Sequence, residues 1–475
     1  MSISSSLGNA LSGLSVTSRM AEVTSSNIAN ALTPGYSRRT LEIGSSLGGV
    51  QSYGVNRHSN PGLISDRRLA QSQLGFDQRS LNSLTSIERS FGVAGSADSI
   101  AGRLASYNAA LINAANDPSS DVRLGQLNSS LGALVTSINT AGRQIQEQRQ
   151  DADSAIARDV EALNTGLAQV ARLNADISRA RLAGQDPSNL RDSRQQVIDD
   201  ISSIVPVRLL ARDNDQAALM TTSGLVLLDG VPSEFEFTPV NIVTADMTLA
   251  SGGLSGISRG GVSLDSSDGI GRLSGGSLGA AMQMRDETLV DAQTQLDEFA
   301  FDLAHRHENP AIDPTFTGVG LITDMGGPTD PADFVGLAGR LAVNAAVDPT
   351  QGGDLSKWRD GVGAVGAGPI GESGQLARWL SALNTATSLP SGGSAKTSSD
   401  HIGAIVANVG TARIDAEKSL SFSQARWESL HQAVLADGVD SDNELQNLIR
   451  IEQAYAANAK VMQTISAMMQ QLMEI

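Results

Sequence analysis

The residue types that most often do chemistry are sparse in this chain and poorly spaced for it. Gly361, Gly363 and Gly366 spell G-x-G-x-x-G. That pattern holds a dinucleotide only between a strand and a helix. Here a mixed, polar stretch precedes the glycines and Pro369-Ile370-Gly371 follows them, so a loop is expected. His305, His307 and Glu308 come nearest to a metal cluster. Residues two apart on a helix point to different faces, so the two histidines would not converge on one ion. His305 and Glu308 could, but nothing nearby supplies a third ligand. A helix end that tolerates cations is the simpler account. His58, His401 and His431 stand alone, and Asp199, Asp200, Asp440 and Asp442 read as solvated faces or caps in so acidic a chain. There is no P-loop, nucleophile elbow or HExxH. No catalytic residue, metal ligand or cofactor site is expected, and the chain does not read as an enzyme.

What the chain does carry is spacing suited to helix pairing. An N-terminal seam runs Ile3, Leu7, Ala10, Leu14, Thr17, Ala21, Thr24, Ile28, Ala31, in alternating steps of four and three. A C-terminal seam runs Leu448, Ile451, Tyr455, Asn458, Met462, Ile465, Met469, Leu472 in the same way. Such spacing keeps one stripe of a helix facing a partner. The N-terminal stripe is weak, because only Ile3, Leu7, Leu14 and Ile28 are large. Burying a large aliphatic side chain yields roughly 1.5–3 kcal/mol, so four supply on the order of 10 kcal/mol. Ordering the backbone costs about 1–2 kcal/mol per residue, and an isolated pair of such helices is marginal. The expectation is that both ends gain their order against neighbouring subunits; a two-stranded stalk closing a globular protein is the plainer alternative. Asn458 either fixes the register of the pair or, if the helix rotates, faces solvent.

Composition sets the remaining bounds. A chain of 475 residues can hold several domains. With no cysteine there is no disulfide and no thiolate chemistry. A net charge of −17 with only 34 Lys and Arg argues against nucleic-acid binding. No apolar run nears the roughly eighteen residues that would span a bilayer, so no membrane insertion is expected. Residues 1–8 lack the basic stretch of a cleaved secretory signal. Export routes that leave no cleavage site stay open.

Read in order, the chain nests. Pro34-Gly35 ends the first helix in a turn. Residues 36–43 read as extended, and in the Gly- and Ser-rich 44–60 only Tyr53 and Val55 suggest strand. Helical periodicity dominates from Leu63 to about residue 204, with its clearest stripe at Ile156, Val160, Leu163, Leu167, Val170 and Ile177. After Pro206 the period shortens to short β-favouring runs split by Ser223-Gly224 and Asp229-Gly230, with β-rich sequence to about Ser274. A helix is expected over 277–307, loop-rich sequence over 310–371, and helices over 374–389, 398–435 and 441 onward. The fold expected is mainly α with a β-rich insert, elongated and nested. Residues 1–60 and 436–475 would form a terminal coiled-coil assembly domain and 61–205 with 275–435 a helical bundle, loop-rich over 309–373. Residues 206–274 would form the inserted β-rich domain.

Two motifs at the extremes carry a resemblance. The run from Ser25 through Asn27, Asn30, Pro34, Gly35 and Tyr36 to Arg38 resembles the N-terminal signature of flagellar rod, hook and hook-associated proteins. The end, from Asn443 to Arg450 and Gln453 to Lys460, resembles that group's C-terminal signature. Within the group, Leu190-Arg191-Asp192-Ser193-Arg194, ahead of an Ile/Val-rich helix and the change to strand, resembles the hook-associated protein 1 family of the hook–filament junction. Leu32 departs from the pattern, standing where a polar residue, often Asn, is expected. The resemblance implies a structural subunit exported through the flagellar type III apparatus and polymerised as a ring between hook and filament, outside the cell. Its implied partners are the hook protein, a second junction protein, further copies of itself and an export chaperone. In that picture Asn27, Asn30, Pro34, Gly35 and Tyr36 shape the turn where the first helix leaves the tube wall.

Overall fold

The computed structural model describes residues 3–33, 35–46, 49–93, 95–264 and 271–473. Helix α1 (Ile3–Ala29) stops where Asn30 Nδ2 turns back to the Ser26 carbonyl, 2.9 Å away. Strands β1 (Arg39–Ser46) and β2 (Gly49–Arg57) then form an antiparallel hairpin packed on α1. The sequence suggested only isolated strand residues in β2, yet it runs for 9 residues. The ladder survives because Gly54, at φ 154°, lets β2 absorb Tyr53 as an extra residue where the register shifts.

Helix α2 (Pro61–Phe91) starts under an Asn60 cap with Pro61 at its first position. Ser99 caps α3 (Ile100–Asn116) and Ser120 caps α4 (Asp121–Leu182), a single helix of 62 residues that Gly184, at φ 69°, brings to an end. Helix α5 (Ser188–Ile204) leads into a four-stranded antiparallel meander of β3 (Val207–Arg212), β4 (Gln216–Thr221), β5 (Val226–Asp229) and β6 (Val231–Pro232). The expected β-rich stretch thins out beyond it. Up to Ser274 the described residues add only the two-residue strands β7 (Ser258–Arg259) and β8 (Val262–Ser263), because Gly and Ser there offer turns and little to pack on a ladder.

The helix expected over 277–307 is three pieces: α6 (Gly276–Gln283), a π turn (Met284–Thr288) and α7 (Leu289–His305). The region read as loop-rich is folded against the helices, β9 (Ile322–Asp324) on α7, β10 (Leu341–Val343) on α4 and α8 (Lys357–Asp360) on α9 (Gly374–Asn384), and it buries Leu321, Leu337, Val347 and Trp358. Helix α9 is shorter than expected, since a second hairpin, β11 (Thr387–Leu389) with β12 (Gly392–Lys396), takes up the residues beyond it. Helix α10 (Ser398–Ala436) lies along α2, and α11 (Ser441–Met473) lies along α1. The molecule is mainly helical with a small inserted sheet, its terminal helices paired as a coiled coil.

Two apolar cores share the long helix α4. One gathers Leu124, Leu131, Ile138 and Ile145 with Phe299, Trp358 and Trp379. The other gathers Ile156, Leu163, Leu167 and Val170 with α5, the meander and α6. Between them lies a buried ionic belt. Arg285 donates to Asp153 (2.7 Å) and Asp286 (2.8 Å), Arg149 donates to the Thr244 carbonyl (3.1 Å), and the Val240 N–H donates to Asp153 (2.9 Å). Side chains of this charge survive burial only when paired, and here carboxylates and backbone pair them. Arg285 sits in the π turn, a local widening of the helix.

The glycine run, His305, His307 and Glu308 are engaged within the fold. The G-x-G-x-x-G run is a loop: the Val362 N–H donates to Asp313 and the Gly363 N–H to Thr315, both at 3.0 Å. His307 is buried, its Nδ1–H given to the Leu303 carbonyl at 2.8 Å and its ring 5.4 Å from that of Trp379. His305 is exposed and stacks on Phe301, while Glu308 holds Thr329.

Candidate assembly interface

Helices α1 and α11 run antiparallel. Gly13 of α1 faces Asn458 midway along the pair, and beyond the C-terminal end of α1 Arg38 Nε meets Glu444 Oε1 at 2.6 Å. A Cβ on Gly13 would lie 2.8 Å from Asn458 Nδ2, so the amide packs directly over the glycine and would have to shift for a larger residue. Asn458 therefore faces the partner helix. On α1 the seam residues Ala10, Thr17 and Thr24 are buried, and Leu7, Leu14, Ala21 and Ile28 are half-buried. On α11, Ile451 and Ile465 are buried, with Leu448, Asn458 and Met462 half-buried. Two seam positions move out: Tyr455 is 48% and Met469 42% exposed. The best-covered line of α11 runs through Ile451, Asn458 and Ile465, and Tyr455 and Met469 lie on its flank. Pro34 and the side chains of Ile3 and Leu472 lie outside the described residues.

Because α1 packs on the hairpin as well as on α11, it also buries Val16 and Asn27, which lie off the seam. Asn27, 1% exposed, is the centre of the turn. Its Nδ2 donates to the Arg39 carbonyl at 2.8 Å, and its Oδ1 accepts the Arg39 N–H at 3.0 Å and the Tyr36 hydroxyl at 2.9 Å. One side-chain amide thus reproduces the paired bonds of a β-ladder and fixes where the hairpin starts. Gly35, at φ 81°, allows the chain to reverse just before it. The Arg39 guanidinium lies 4.6 Å over the Tyr36 ring.

The Leu190–Arg194 run fastens this turn to the body. Asp192 accepts from Arg39 at 2.6 Å and from Arg57 at 2.8 Å, so one carboxylate holds both strands of the hairpin. Arg57 also reaches Gln195 at 2.6 Å, and Arg39 reaches Asn189 at 2.8 Å. Facing the other way, Arg191 and Arg194 bind Asp215 at 2.5 and 3.1 Å, beside the meander. Sequence reasoning did not single out Arg39, Arg57 or Glu444. Their partners are 135 to 406 positions away, and no local periodicity marks such pairs.

The pair leaves apolar surface uncovered. Leu11 on α1, and Leu445, Ile449, Val461 and Met468 on α11, are exposed, as is Leu32, 96% exposed past the end of α1. A two-helix pair covers one stripe of each helix, so its flanks remain open to further helices.

Comparison with known proteins agrees with this layout. Residues 84–309 match the family described as the flagellar hook-associated protein FlgK helical domain. Residues 7–36 match the flagella basal body rod protein family, and residues 432–475 match the flagellar basal body rod FlgEFG protein C-terminal family. Flagellar hook-associated protein 1 of Escherichia coli (strain K12) is 25% identical over 325 residues, covering 64% of this chain and 56% of that protein. The protein of the same name from Salmonella typhimurium is 26% identical over 64% of this chain and 55% of its own length, so the match spans little more than half of these two relatives. That of Bacillus subtilis (strain 168) is 22% identical over 96% of this chain and 95% of that protein. Among solved structures, the flagellar hook junction protein FlgK from Burkholderia pseudomallei matches with TM-score 0.45 and 20% identity over 55% of this chain and 46% of that one. With rod-type signatures at both ends, the chain carries the hook-associated helical domain over residues 84–309 and is similar along its length to flagellar hook-associated protein 1.

Proposed function

We propose that this protein is a structural subunit of the junction between hook and filament, exported by the flagellar type III system and polymerised through its terminal helices. It acts outside the cell as a ring of copies, with hook protein on one side and a second junction protein on the other, and an export chaperone accompanies it beforehand. Residues 1–60 and 436–475 form the assembly domain, 61–205 and 275–435 the helical bundle, and 206–274 a small β-rich inserted domain. The seam residues Leu7, Leu14, Ile28, Leu448, Ile451, Asn458, Met462 and Ile465 hold α1 to α11. Tyr455 and Met469, on the flank, meet neighbouring copies.

The observation that carries this reading is the uncovered apolar flank of the α1–α11 pair, at the two segments that match rod-type families. An isolated pair with so little large apolar surface gains from every neighbour that covers it. Immunogold labelling of isolated flagella with an antibody to this chain tests the reading. Label confined to the boundary between hook and filament is expected. Label along the rod or hook, or none on flagella, refutes it.

A further inference from the structure

The terminal layer carries two unlike patches. Helix α1 packs against both the β1–β2 hairpin and α11. Between α1, the hairpin and the α4–α5 turn is a cleft of about 650 Å³. Arg19, Arg39, Arg181 and Arg191 line it, against Glu22 and Asp186. Asp192 and Asp215 already neutralise Arg39 and Arg191. Arg19 has only a hydroxyl, donating to Ser52 Oγ at 2.7 Å, and Arg181, at the last turn of α4, has no carboxylate partner among the described residues. Two uncommitted guanidiniums in one cleft stand out on a chain of net charge −17. Tyr53, 64% exposed, stands at the same cleft.

At the start of α11 the charges reverse. The turn between α10 and α11 and the first turn of α11 hold Asp437, Asp440, Asp442 and Glu444. Asp440 is occupied as a cap, accepting the Asp442 and Asn443 N–H groups at 3.0 and 3.1 Å, and Glu444 is taken by Arg38. Asp437 and Asp442 are exposed, and no other group in the described residues takes up their carboxylates. Just beyond them on α11 stand the exposed side chains of Leu445 and Ile449.

We propose that the arginine cleft of one copy receives the acidic α10–α11 turn of the next, with Tyr53 laid against Leu445 and Ile449. This deepens the assembly reading above and rests on it. The two surfaces are different patches of one chain, so the contact is heterologous and repeats from copy to copy, as a ring or helical tube requires. Charge complementarity fixes which patch meets which and rejects the like-to-like encounter, where arginine would face arginine.

Because both surfaces belong to one chain, reversing the charges on each separately and then together provides the test. The variants are Arg19→Glu with Arg181→Glu, Asp437→Arg with Asp442→Arg, and all four at once. Each is supplied to cells lacking their own copy, and the amount in isolated flagella is measured against the parent. Each separate reversal is expected to lower incorporation about tenfold or more, and the combined chain to recover most of it. Melting curves of the purified chains establish that all are folded. Should a reversal lower the melting temperature, Arg181→Gln and Asp442→Asn carry the same comparison. Reversals that incorporate like the parent, or a combined chain no better than either alone, overturn the contact and leave the assembly reading standing. A parent chain absent from flagella overturns both.

Discussion

Single residues set the geometry of the terminal turn. Gly35 holds φ 81° between the first helix and the hairpin, in the left-handed region that a β-branched residue cannot occupy without strain. Replacing Gly35 by Val should leave the melting of the helical body unchanged and abolish incorporation into flagella. Normal incorporation of that chain would remove the turn from the mechanism. A second residue-scale effect concerns pH. Burial holds His307 down to about 4, because the charged imidazolium loses its water there. A histidine lowered in the folded state adds stability above its unfolded value near 6.5 and loses it as pH falls toward 4. The difference amounts to about 3 kcal/mol. Asp297, which burial pushes up to about 6, works in the opposite sense over an overlapping window. Only a comparison with a variant isolates the histidine: the unfolding free energy of the parent minus that of His307→Leu should fall by about 3 kcal/mol between pH 7 and pH 4. Parallel pH profiles would show that His307 does not titrate on unfolding.

At the scale of elements, the α1–α11 pair is keyed by a small residue facing a polar one. Asn458 packs directly over Gly13, so a methyl group there must displace it. Gly13→Ala should loosen the pair despite alanine's better helix propensity, worth about 1 kcal/mol on its own. Adding Asn458→Ala should recover most of the loss, giving a coupling of about 0.5–3 kcal/mol in a double-mutant cycle followed by amide exchange of α1. Additive effects would mean that the two side chains do not share the space. The heptad reading found this seam but placed Tyr455 and Met469 on it, whereas the covered line of α11 runs through Ile451, Asn458 and Ile465, because spacing alone does not say which of two neighbouring stripes faces the partner. The π turn at Met284–Thr288 left no mark in the apolar pattern. It moves one polar residue, Arg285, into the belt while the flanking Met282 and Leu289 stay in their cores.

The molecule as a whole grades from a dense body to sparsely covered ends. Tyr107, Trp358 and Trp379 are fully enclosed in the body, whereas α11 buries little more than Ile451, Ile465 and Glu444. Segments with few buried apolar contacts open at low free-energy cost. In the isolated protein, amides of 3–29 and 441–473 should exchange orders of magnitude faster than those of α4, and in intact flagella they should be protected. Protection of both ends already in a dilute sample would mean that the pair is complete without neighbours.

Periodicity and turn chemistry in the sequence by themselves determined the helical class, the nested order of elements, the two terminal seams and the break at Gly35. These are local properties, written within a few residues of one another. The tertiary structure alone decided that Asp192 clasps both hairpin strands, that Arg149, Asp153 and Arg285 form a belt between two cores, and that the loop-rich 309–373 folds against α4, α7 and α9. Each of these joins charges or backbone groups far apart in the chain, and an ion pair across 135 positions has no period to betray it. Its partners are chosen by which surfaces packing brings within about 3 Å.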